Sequence, residues 1–135
     1  MPIVDETGFA PDDAPDWREA RPAEGERGVA LLLDPDADAA AIAADFARIA
    51  LIGVRFSAFT DGRGFSLARR LRALGYSGRL RAVGALIPDQ LRHARACGFD
   101  EVQIDAARAA RQPEADWRRA AAAAPPPFVQ RRAQR

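Results

Sequence analysis

Residues 50–75 read ALIGVRFSAFTDGRGFSLARRLRALG, and they hold one complete repeat of the fold. Ala50–Phe56 is a short, mostly apolar run, which suits a buried strand. A Thr-Asp-Gly-Arg-Gly turn follows. Ser66–Leu74 then spaces Leu67, Leu71 and Leu74 as one helical stripe and leaves Arg69, Arg70 and Arg72 off it. Gly75 stops the helix. Strand, turn and helix in this order make a β-α unit.

The same grammar recurs on both sides. Val29–Leu33 is a continuous apolar run closed by Asp34-Pro35. Asp36 or Asp38 then caps a helix over Ala39–Arg48, with Ile42 and Phe46 one turn apart. Downstream, Leu80–Val83 is a third strand before Gly84, and Pro88 opens a third helix that Gly98 ends after Cys97. Glu101–Ile104 is a fourth strand. A last helix runs from Pro113 to Ala123, before Pro125–Pro127. About four β-α units at this spacing predict an α/β fold with a small parallel sheet, open or half-barrel-like. Half-barrel curvature would invite a homodimer. Residues 28–124 are expected as a single domain. Residues 1–27, rich in Pro and acids, are expected as an extended or loosely packed segment, and 125–135 as a Pro/Arg-rich tail.

Composition narrows the function classes. The 135 residues carry a net charge of +1, and all basic side chains are arginine. No overall field draws the chain to DNA or a membrane surface. Aromatic residues make up only 7%, too few for a stacking platform, so single-stranded nucleic acid is not the expected partner. No apolar run is long enough to span a bilayer, and the N-terminus lacks the basic and apolar regions of a signal peptide, so a cytoplasmic protein is expected. The single cysteine, Cys97, rules out an intrachain disulfide and an all-cysteine metal site within one chain. No metal site is read, and no cofactor is named. Charge is uneven, however. Residues 55–95 hold nine arginines against only Asp61 and Asp89.

Ligands of parallel α/β sheets bind beyond the carboxyl ends of the strands. Thr60, Asp61, Gly62, Arg63, Gly64 and Ser66 fall there after the second strand, and Gly84, Asp89 and Gln90 after the third. Gly62 and Gly64 permit positive φ and close backbone approach. The helix that follows offers free amides to an anion, Arg63 a forked donor, and Ser66 a hydroxyl or a cap. The plainer reading is a simple turn with a solvated Arg63. Asp89 either complements its own helix dipole or faces Arg63 across neighbouring loops. His93 reads as a surface side chain and Cys97 as a small buried one. Arg69, Arg70 and Arg72 form a solvated face or a docking patch for an acidic protein.

The words FTDGRGFSLARRLRALGYSGRLRAVG and DQLRHARACGFDEVQI, within residues 28–105, closely resemble a bacterial family, the domain of unknown function nine-three-four. Some of its members are labelled putative oxidoreductase. The resemblance implies a setting more than a mechanism. Its members are typically encoded beside assimilatory sulfite reductase, which implies an accessory or electron-transfer partner of that enzyme in sulfate assimilation and cysteine synthesis. Ala85 and Ala58 stand where the family often carries an acid and a lysine, which weakens an enzymatic reading.

Overall fold

The computed structural model describes residues 3–5, 8–10, 15–58, 62–104 and 113–128. In chain order the elements are β1 (Ile3–Asp5), β2 (Gly8–Ala10), β3 (Trp17–Arg18), β4 (Val29–Leu33), α1 (Ala39–Ile42), a 3-10 segment (Ala43–Arg48) and β5 (Ile49–Phe56). They continue with α2 (Arg63–Ala73), β6 (Arg79–Gly84), a 3-10 turn (Pro88–Gln90), α3 (Leu91–Ala96), β7 (Glu101–Gln103) and α4 (Glu114–Ala123). The chain is mixed α/β, with a mostly parallel sheet.

Among the described residues the sheet has seven strands in the order β2-β1-β7-β6-β5-β4-β3. Strands β3 to β7 lie side by side in chain order, every neighbouring pair parallel. Because crossovers are right-handed, stepping always in one direction sends the helices to one face. The side chains agree. Leu33, Val54, Ala82, Val102 and Val4 form one row across five strands by register. All five belong to a single core cluster with Leu67, Ala68 and Leu71 of α2, Leu91 and Ala94 of α3, and Trp117 of α4.

The opposite row is different in kind. There Leu32, Gly53, Arg81 and Glu101 are in register. A side chain on Gly53 would overlap the Trp17 ring, so this glycine is the seat on which Trp17 lies. The Arg81 guanidinium sits 5.8 Å from the Trp17 ring centroid. Its side chain is 0% exposed, and it binds Glu101 at 2.9 Å and Gln103 Oε1 at 2.7 Å. Arg79 grips the same Glu101 carboxylate from the edge, at 2.9 and 3.0 Å.

Two expectations are refined by the structure. The N-terminal segment, expected as extended or loosely packed, is extended in its described parts and joins the sheet. Its strands β1 and β2 form a hairpin that adds antiparallel to β7, β3 adds parallel to β4, and Val4 is fully buried. Short strands that pair with distant partners carry too little local pattern to announce themselves. The helix after β5 begins at Arg63, three residues earlier than expected. Ser66 therefore lies inside it and caps nothing. Elsewhere the boundaries follow the signals. The Asp38 carboxylate accepts the Ala40 N–H at 3.1 Å, and Gly75 and Gly98 end their helices at φ +106° and +110°.

Candidate functional site

The outer surface of α2 and α3, together with the loops that lead into them, gathers most of the candidate residues. Thr60 and Asp61 lie outside the described residues. Gly62 precedes α2 at φ −84°, an ordinary conformation, and a side chain there would meet open space. Gly64 is helical and buried, and a side chain on it would overlap the Phe56 ring. Neither glycine uses left-handed backbone, so positive φ is not what the Gly-Arg-Gly word supplies. Gly64 lets α2 pack against β5. Gly84 is the one that needs positive φ, at +123°, where a side chain would run into the Phe56 carbonyl. That carbonyl accepts the Ala85 N–H at 2.9 Å, which ties the end of β6 to the end of β5.

Arg63 and Ser66 are exposed on the first turns of α2. With Arg70, Leu67 and the Pro35–Ala37 turn they line a shallow cavity of about 320 Å³. Asp89 lines a different cavity of about 400 Å³, between α3 and α4, with Arg92, Asp116 and Arg119. Arg63 and Asp89 thus border separate hollows. Gln90 acts locally, where its Oε1 accepts the Ile87 N–H at 3.2 Å at the start of the 3-10 turn.

The three arginines of α2 separate. Arg72 was expected on a partner-facing surface with Arg69 and Arg70, but its side chain is only 7% exposed. It donates to the carbonyls of Gly98, Tyr76 and Gly78 and to Asp100 Oδ2, at 2.7 to 3.0 Å. Phe128 covers it, with its ring centroid 3.9 Å from the guanidinium. A guanidinium with five donors can satisfy several orphan carbonyls at once, and here it closes two loops. Arg81, another of the nine arginines in residues 55–95, is the buried cation of the sheet's other face. Arginine density along the chain therefore overstated the surface charge. Its alternation with Leu80 and Ala82, and the Glu101/Gln103 pair two residues apart on the next strand, was the signal that marks Arg81 as facing a polar layer.

What remains on the surface has a distinct electrostatic character. Among the described residues most other surface arginines are matched with acids, Arg27 being an exception: Arg18 with Glu26, Arg21 and Arg48 with Asp45, Arg55 with Glu19 and Asp34, Arg118 with Glu114, and Arg119 with Asp116. Among the described residues Arg69, Arg70 and Arg92 have no carboxylate partner within 4.0 Å. All three are exposed, and neither α2 nor α3 contains an acid. The two helices touch where the His93 ring meets Phe65 edge-on at 4.7 Å and where Arg69 Nε donates to Cys97 Sγ at 3.3 Å.

Residues 30–129 match a family model described as "Bacterial protein of unknown function (DUF934)". The chain belongs to this family. The match takes in α4, so the helix that buries Trp117 is part of the family's unit. No curated protein and no solved structure matches the chain. Among the described residues, no helix is long and apolar enough to cross a membrane.

Proposed function

We propose that this protein serves assimilatory sulfite reduction as an accessory or electron-transfer partner of sulfite reductase, docking on an acidic surface through α2 and α3. The observation that carries the reading is the unmatched charge of Arg69, Arg70 and Arg92 on a chain whose net charge is only +1. Among the described residues most surface arginines elsewhere are paired with acids, whereas α2 and α3 carry these three with no acid of their own. Such a face raises encounter rates with an acidic partner and loses that advantage in salt. The identity of the partner comes from the genetic company implied by the family resemblance.

Co-elution with sulfite reductase of the same organism tests this. At low salt the two proteins are expected to elute together, and at high salt to separate. Changing Arg69, Arg70 and Arg92 together to Glu should abolish co-elution at both, by replacing attraction with like-charge repulsion. Retention of the complex by that variant would remove this face from the interface.

A second reading draws on the cavity beside Arg63, Ser66 and Arg70. Two guanidinium groups, a hydroxyl and the start of α2 suit a small anion such as sulfite, sulfate or phosphate. Calorimetry with each anion would show binding to the parent protein and none to Arg63→Ala. Equal heats from the two proteins would sink this reading.

A further inference from the structure

Cys97 is buried at 2% exposure, which on its own is the ordinary state of a free cysteine. Its neighbours are not ordinary. His93, one turn earlier on α3, places Nε2 3.6 Å from Sγ. Arg69, arriving from α2, points Nε–H at the same sulfur from 3.3 Å. The imidazole is held against the Phe65 ring at 4.7 Å, which fixes its orientation. A nucleophile, a base within reach of its proton, and a cation facing the sulfur come from two helices to one point. Among the described residues no carboxylate lies within 4.0 Å of Arg69, so no paired acid competes with the thiol for its Nε–H. His93 and Arg69 are both exposed, so the two groups that contact the sulfur border solvent.

We infer that Cys97, His93 and Arg69 form a nucleophilic thiol site that takes a small anionic disulfide. Cys97 gives its proton to His93 Nε2, and Sγ attacks one sulfur of the disulfide. A new S–S bond forms while the original one breaks. The departing thiolate recovers the proton from the imidazolium, and Cys97 is left as a mixed disulfide. Arg69 stabilises the anionic sulfur during attack and attracts a negatively charged reagent. This site shares Arg69 with the proposed docking face, but its test uses the isolated protein and reads thiol reactivity, so either proposal can fail without the other.

The test measures the rate at which the folded chain reacts with two chromogenic aromatic disulfides near neutral pH. One is the dianionic dinitrobenzoate disulfide and the other a neutral dipyridyl disulfide. Glutathione serves as the reference thiol, and Cys97→Ser as the blank. The native protein is expected to react with the anionic reagent at least about tenfold faster than glutathione. His93→Gln should slow both reagents by about tenfold or more. Arg69→Gln should slow the anionic reagent selectively, lowering the anionic-to-neutral rate ratio. Melting curves of both variants matching the parent's would exclude loss of fold as the cause. Reaction that appears only at the rate of global unfolding would overturn the site and return Cys97 to the core. Variants with unchanged rates and unchanged selectivity would overturn it equally.

Discussion

At the scale of single residues, the Gly62-Arg63-Gly64 word separates into three roles. A methyl group on Gly64 would enter the Phe56 ring, and that ring is fixed by Phe65 and Phe99 at centroid distances of 5.0 and 5.8 Å. Gly64→Ala is expected to cost about 1–3 kcal/mol, the range for overpacking a filled core. Gly62→Ala meets open space and should change stability by no more than about 0.5 kcal/mol. Urea unfolding of the pair checks both. Arg63, between them, stays on the surface beside the small cavity. Arg72 gives a sharper contrast. Replacing it with Met would leave Asp100 and three loop carbonyls without their shared donor, a loss of about 3–5 kcal/mol by the measure of broken buried pairs. The same change should leave the salt-sensitive surface intact. In the sequence Arg72 was indistinguishable from Arg69 and Arg70, because helical position tells which way a residue points but not which loop later folds over it.

At the scale of elements, the β-α units were legible because each carries its own periodicity, cap and stop signal within about twenty residues. What joins elements far apart was not. Asp45 is one such joint: it lies in the 3-10 segment after α1, buried, and receives Arg21 from the segment before β4 and Arg48 from its own. The Arg21 hydrogen bond, opposed by burial and assisted by Arg48, holds the Asp45 carboxyl below the usual carboxylate range. Below about pH 4 the unfolded chain takes up a proton that the folded chain still refuses. The stability Asp45 contributes is therefore complete above that value and is lost as pH falls through its lower folded value. Urea midpoints of the parent and Asp45→Asn across this acid range should differ at neutral pH and converge on acidification. A constant difference would mean the carboxylate charge is not what matters. The Trp17 seat is a second joint. Gly53→Val would push the Trp17 ring off the sheet, so in a Trp117→Phe background its emission should shift to the red while the far-UV spectrum is retained.

At the scale of the whole molecule, the sequence conveyed a parallel α/β core and omitted its two borders. The acidic, Pro-rich composition of residues 1–27 suggests an extended or loosely packed segment, yet Val4 lies in the core row and Trp17 roofs the polar row. A chain beginning at Gly28 is expected to melt well below the full protein, or not to fold, as a calorimetric scan would reveal. The candidate site was legible to a similar depth: α2 and α3 were visible as arginine-bearing helices, but the sorting of those arginines into buried clamps, matched pairs and an unmatched face depends on partners distant in the chain. The strand order carries one more consequence, in time. From β3 to β7 each strand lies beside the one made just before it, so this part can assemble in step with synthesis, closing only short loops. The first strand made has no neighbour in the parallel core until the last is finished, since Ile3 pairs with Gln103. The beginning of the chain must wait for its end, and the hairpin β1–β2 should be the last part of the sheet to gain protection from hydrogen exchange during refolding.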